Sequence, residues 1–215
     1  RAKRARKSTG DVVIGIGLPL ENSRIFFKQG IEMAAEEINK GKGILGRKIK
    51  LVWGDDKGSL KDGFLVAKNF SENEDMVAVI GHVHDYISYT NAALYDYCGM
   101  LMFAPLATQK GHDSDNFTRV FRNIPDSDGF ANALIGFMKK QGYRKMLIYG
   151  SDQEENLAES GSLTDVLEYY GDRSGISTPD RQMYDMYSGS FQFGKVLKRW
   201  KANYSFDVIF FGGSH

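Results

Sequence analysis

Residues 79–108 read VIGHVHDYISYTNAALYDYCGMLMFAPLAT, and this stretch decides the fold. Met76 to Ile80 is a short apolar run with β-branched residues, closed by Gly81, the signature of a buried strand. From Ser88 to Tyr97, Ile87, Asn91/Ala92 and Leu94/Tyr95 fall near one side of a 3.6-residue period, which predicts a helix. Gly99 stops it, because glycine reaches left-handed backbone angles at little cost. Met100 to Ala104 is a second apolar strand, cut off by Pro105. Strand, helix, strand in this order is a crossover unit, and crossovers of this length build parallel sheets. Ligands of such sheets sit beyond the carboxyl ends of the strands. The segments at those ends are His82 to Tyr86 and Leu106 to Thr108, so these are expected to carry the function.

The same alternation extends in both directions. Asp11 to Leu18 reads as a strand and residues 24–39 as an amphipathic helix, entered through Asn22 or Ser23. Arg47 to Trp53 alternates as a second strand after a glycine-rich turn. Ser59 opens a helix whose inner face is expected at Phe64, Leu65, Ala67/Lys68 and Phe70. Thr118 to Phe121 is a short strand, and the run from Asn123 to Asp128, with its proline and capping residues, marks a crossover into a new unit. Beyond it follow a helix at Gly129 to Lys140, with Phe130, Ala133/Leu134 and Phe137/Met138 inward, and a strand at Lys145 to Tyr149. A helix at Leu157 to Tyr170, a weak strand at Met183 to Tyr187, a helix at Phe191 to Trp200 and a strand at Asp207 to Phe211 complete the pattern. The class is α/β. The division expected is a basic flexible tail over 1–10, a first lobe over 11–122 and a partial second lobe over 123–215. A strand that ends in Gly212-Gly213-Ser214-His215 leaves a small second sheet, from which the natural chain is expected to continue past His215.

The 215 residues carry a net charge of +1, but Arg1, Lys3, Arg4, Arg6 and Lys7 crowd the first seven positions. Removing five positive charges from +1 leaves −4, a mildly acidic body with no footprint for nucleic acid. A chain without an initiator methionine is expected to have lost something upstream, though no signal peptide is visible. No apolar run reaches the eighteen or so residues of a membrane span. Cys98 is the single cysteine, which excludes an internal disulfide.

Several patterns invite chemistry and are weighed against plainer roles. Gly15-Ile16-Gly17 follows a strand, but the third glycine of a dinucleotide fingerprint is missing, since position 20 is Leu. His82, His84 and Asp85 have the opening spacing of a zinc hydrolase, yet a third protein ligand is not recognisable around His112 or His215. The plainer reading packs one histidine and solvates the other. Asp85 sits where a carboxylate either caps a helix or meets a ligand. Thr108 offers a hydroxyl that donates to a carboxylate or accepts from an ammonium. Tyr86 and Tyr89 either stack on a ligand or cover the loop. Glu154 and Glu155 pair like catalytic carboxylates but also suit a helix start. Ser88 and Ser151 lack the frame of a nucleophile elbow.

The order of motifs from Val12 to His215 resembles the type I periplasmic solute-binding proteins, in the branch of leucine/isoleucine/valine-binding proteins and related extracellular receptors. The residues that carry it are Gly30 to Asn39 (GIEMAAEEIN), Gly43 to Leu51 (GILGRKIKL), Asp55-Asp56, Val79 to His82, Gly99 to Pro105, Ala107-Thr108, Phe121-Arg122 and Phe206 to Gly213. The resemblance implies two doubly wound parallel-sheet lobes joined by a hinge, with a solute held in an interlobe cleft and no cofactor. It also implies a periplasmic or extracellular location and, as partner, a transporter permease or a receptor's signalling domain. Residue by residue, it places Asp85 where amino-acid binders have a serine. Leu106 and Thr108 fall where backbone and threonine hold the ligand's charged groups. Ser214, and a position near Glu154 or Glu155, fall where aromatics are common. A disulfide found in some relatives would fall near Lys57 and His84 and has no counterpart.

Asp85 would repel an anionic group about 4 Å away by about 1 kcal/mol in water and more when desolvated. The ligand expected is therefore small and polar, neutral or bearing an amine. Asp85, Tyr86, Leu106, Thr108, Ser23, Glu155 and Ser214 are its expected contacts. The first reading is the solute-binding protein of an ABC-type transporter. The alternatives are the ectodomain of a signalling receptor and a zinc-dependent hydrolase built on His82, His84 and Asp85.

Overall fold

The computed structural model describes residues 9–21, 26–108, 111, 117–151, 163–184 and 193–212. The chain divides into two compact units, Arg1–Ile124 and Pro125–His215.

The first unit runs β1 (Val12–Leu18), α1 (Phe27–Lys40), β2 (Ile49–Asp55), α2 (Leu60–Glu72), β3 (Met76–Gly81), α3 (Asp85–Tyr97), β4 (Leu101–Phe103) and β5 (Val120–Phe121). Its five strands lie in the order β2-β1-β3-β4-β5, all parallel. Ile16 stands opposite Trp53 on one side and Ile80 on the other. The strand order reverses between β1 and β3, which is the switch point where crevices form in such sheets. One core gathers Val13, Met76, Val79, Met102 and Val120 with Val66, Ala67 and Phe70 of α2 and Ala92 and Tyr95 of α3.

Three expectations shift here. The inner face of α2 is Gly63, Val66, Ala67 and Phe70, whereas Phe64 and Leu65 point outward. The determinant is Gly63: a Cβ there would lie 2.4 Å from Ile87 Cγ2, so a bare residue is what lets α2 lie against α3. β2 begins two residues later than its alternation predicts. Arg47 is spent in the preceding turn, pairing with Ile44 through both backbone groups and reaching the Gly10 and Asp11 carbonyls with its guanidinium. α3 begins at Asp85, ahead of Ser88.

The second unit runs α4 (Ser127–Lys140), β6 (Met146–Ser151), α5 (Leu163–Arg173), β7 (Arg181–Tyr184), α6 (Phe193–Asn203) and β8 (Val208–Phe211). Asp126 caps α4, its carboxylate accepting from Gly129 N–H at 2.7 Å. The strand order is β7-β6-β8, again parallel. The central strand feeds two cores through the alternation of its side chains. Met146 and Ile148 pack with Ala131, Ile135 and Met138 of α4 and Leu167 of α5. Leu147 and Tyr149 pack with Trp200 of α6. Helices thus cover both faces, the doubly wound arrangement.

Two expectations are corrected in this unit. Phe137 is exposed, and the buried positions of α4 are Ala131, Ile135 and Met138. β7 starts at Arg181 rather than Met183, because the strand is placed by ion pairing and not by an apolar pattern. Arg181 reaches Asp165, Glu168 and the Thr164 hydroxyl on α5. The early part of the helix expected from Leu157, and the later part of the strand expected to Tyr187, lie outside the described residues.

Candidate functional site

The polar groups of the candidate site gather at the carboxyl ends of β1, β2, β3 and β4. β1 must end bare, because β3 lies so close. A Cβ on Gly81, whose φ is +133°, would lie 2.1 Å from the Gly17 carbonyl oxygen. A Cβ on Gly17 would lie 2.7 Å from the His82 ring. These two glycines make the space into which His82 folds.

His82 is wholly buried and both its nitrogens are engaged. Nδ1 lies 2.6 Å from Asp56 Oδ2 and Nε2 lies 3.1 Å from the Tyr95 hydroxyl. Asp56 and Tyr95 are wholly buried too. Burial first, and then the negative charge of Asp56, push the Tyr95 hydroxyl well above the ordinary tyrosine range, so it stays protonated. A carboxylate only accepts and a protonated phenol has a hydrogen to give. One arrangement satisfies all three: Tyr95 O–H donates to Nε2, and Nδ1–H donates to Asp56. The other tautomer would set lone pair against lone pair at Asp56. The second Asp56 oxygen accepts from Gly58 N–H at 3.0 Å. Neighbouring Asp55 accepts from Leu20 N–H and Lys57 N–H, so the two aspartates together hold the β1 and β2 loop ends.

Asp85 is the first residue of α3. Its two carboxylate oxygens accept from the Thr108 backbone N–H and the Thr108 hydroxyl, each at 2.6 Å. The clasp joins the loop after β3 to the loop after β4. It brings two of the sequence-selected residues together and gives each part of its role from the other: Thr108 directs its donors at a charge on the protein itself. Tyr86 donates to the Gly58 carbonyl at 2.5 Å, and its ring lies against His84 with centroids 5.6 Å apart. Leu106 is half-buried beside buried Ala107. Tyr89 packs edge-on to Phe117 at 6.2 Å. Ser23, Glu154, Glu155 and Ser214 lie outside the described residues.

The zinc arrangement of His82, His84 and Asp85 fails on geometry. His82 spends both nitrogens inside the protein and has no free lone pair for a metal. Among the described residues no three His, Cys, Asp or Glu side chains come together as a metal site requires. Gly15 is likewise a packing glycine: a Cβ there would lie 2.7 Å from Met76 Sδ and 2.8 Å from the Phe70 ring. Sequence reasoning passed over Asp56 and Tyr95 as site residues. Asp56 had a usable signal, a second carboxylate directly after a strand, whereas Tyr95 read simply as one more ring on an apolar helix face.

Comparison with known proteins fits this geometry. The family model described as "Periplasmic binding protein" matches residues 19–191. An amino acid binding protein of Pseudomonas aeruginosa is 32% identical over 95% of this chain and 54% of its own length. The Leu/Ile/Val-binding protein homolog 2 of Brucella abortus is 34% identical over 56% of this chain and 33% of its own length. A solved ABC transporter substrate-binding protein of Desulfitobacterium hafniense, in complex with Leu, superposes with a TM-score of 0.77 at 32% identity. That likeness covers 94% of this chain and 58% of the other. The chain therefore spans between a third and three-fifths of these relatives. A parallel α/β sheet of this strand order, matched by the family model over most of its length, establishes that the chain belongs to the type I periplasmic binding protein family.

Proposed function

We propose that this chain is the ligand-binding part of an extracytoplasmic solute-binding protein that serves an ABC-type transporter, and that its solute is a small polar, amino-acid-like molecule. The permease would be its macromolecular partner, and the periplasm or the cell exterior its place of work. The observation that carries the ligand reading is the Asp85–Thr108 clasp beside the switch point. Thr108 would otherwise aim an N–H and an O–H at the same spot, a ready seat for a carboxylate. Asp85 already supplies one. A second anion beside it is repelled, whereas an ammonium, amide or hydroxyl finds the remaining lone pairs of Asp85. Tyr86 and Leu106 would flank that group, with Ser23, Glu155 and Ser214 as further contacts. No bond is made or broken in this role.

A second reading has its own support. The Desulfitobacterium relative holds Leu, which favours a branched-chain amino acid whose ammonium meets Asp85 and whose carboxylate lies elsewhere. Thermal-shift measurement on the intact protein separates the two. L-leucinamide, amines and neutral polar solutes should raise the melting temperature, with about 2.7 kcal/mol of protection at a hundredfold excess over Kd. Protection by L-leucine or L-valine alone would overturn the polar-ligand reading and leave the branched-chain one.

A further inference from the structure

We infer that His82 is a positioning residue for ligand capture: the hydrogen-bonded row Asp56–His82–Tyr95 fixes the loop after β3, and with it the clasp that Asp85 makes on Thr108. Asp85 lies three residues after His82, and His84, between them, caps α3 without a side-chain hydrogen bond. The loop therefore has to be fixed by something else, and the buried imidazole does it from below. It is gripped by Asp56 at the end of β2, by Tyr95 on the third turn of α3, and by the bare backbone of Gly17 on β1. The His82 and Tyr95 rings stack nearly parallel, 16° apart with centroids at 6.2 Å. Three strands and one helix thus share a single side chain across the switch point.

The grip is directional as well. Each of the three groups has one orientation in which every donor meets an acceptor, so the ring cannot turn without stranding a buried polar atom. An apolar plug of the same volume would fill the space but would not fix the rotation of the loop. Asp85 needs that rotation, since its two oxygens must meet two donors of Thr108 at once.

The inference touches the ligand reading only in what Asp85 finally meets, and the clasp can be measured without ligand. The experiment is amide hydrogen exchange at Thr108 by NMR in the intact, ligand-free protein, compared among Tyr95→Phe, His82→Asn and Met102→Ala. Met102 lies in the same core on β4, so its truncation reports the effect of lost stability alone. Tyr95→Phe keeps the ring and removes one hydroxyl, so it tests the row even where His82→Asn fails to fold. The expected result is Thr108 exchange about tenfold faster in Tyr95→Phe, with the control near the wild-type rate. Exchange unchanged in Tyr95→Phe, or accelerated equally in the control, overturns the positioning role. A parallel titration with L-leucinamide and L-leucine should show the ratio of their affinities changing in Tyr95→Phe and holding in Met102→Ala. Silence from both probes in the wild type would sink the ligand reading, while the exchange rates would still decide this one.

Discussion

The two units share a grammar of parallel strands and covering helices but keep different things inside. Beneath its strand ends the first unit buries a carboxylate, an imidazole and a phenol bound to one another. The second buries aromatic rings against its sheet: Tyr149 stacks on Tyr184 at 4.8 Å, lies near Phe193 and Phe211, and meets the edge of Trp200. Ring packing is tolerant, because area and shape do most of the work. A buried hydrogen-bonded row is not, because each partner depends on the next. The contrast indicates where each unit places its specificity: in hydrogen-bond direction in the first, in packing volume in the second.

The sharpest attempt to break this contrast is Trp200→Ala. It removes a wholly buried ring together with the indole N–H that donates to Asp180 at 2.7 Å, while Asp180 keeps Arg199 as a partner. A loss of about 4 kcal/mol is expected by urea denaturation. The chain has two tryptophans, one per unit, so Trp53 fluorescence in this variant reports the first unit alone. A loss under about 1 kcal/mol would show that the aromatic core tolerates far more than area predicts.

A pair of glycines sharpens the comparison at intermediate size. Gly63→Ala should cost about 2 kcal/mol, because the added methyl meets buried Ile87 and overpacking outweighs the gain in helix propensity. Gly136→Ala, at an exposed position of α4 with nothing within 4 Å, should instead stabilise by about 0.8 kcal/mol. Melting temperatures of the two variants should therefore move in opposite directions. Movement in the same direction would mean that the α2–α3 approach is looser than it stands here.

The smallest effect is a pH dependence in the second unit. The backbone N–H groups of Arg144 and Lys145 donate to Asp207 and hold its carboxyl below the ordinary range. A folded-state value below the unfolded one contributes stability above the unfolded value, and that contribution is lost as pH falls through the folded one. Asp207→Asn should flatten the acid limb of the stability profile slightly. An unchanged limb would show that the exposed carboxylate has no measurable share.

Much of this was legible in the residues themselves. The alternation of apolar runs with helical spacing located the strands and helices, because burying one face is the main thing each element does. Asp85 and Thr108 were singled out from their positions after strands, and the structure brings them together. What escaped was whatever depends on a neighbour distant in the chain. The inward face of α2 turns on Ile87, the start of β7 turns on acidic residues of α5, and the roles of Asp56 and Tyr95 exist only once β2, β3 and α3 meet. Local pattern reports what a segment prefers, and these features are preferences of pairs.

The register of the first sheet has a consequence for the company the molecule keeps. One border is a seven-residue strand with Lys50 within it and Arg47 and Lys48 leading into it; the other is only two residues long. Positive charge along the longer border discourages a stranger's backbone from extending the sheet, and brevity denies it a foothold on the shorter one. A parallel sheet whose two borders are guarded in these ways is spared a common route into fibrils.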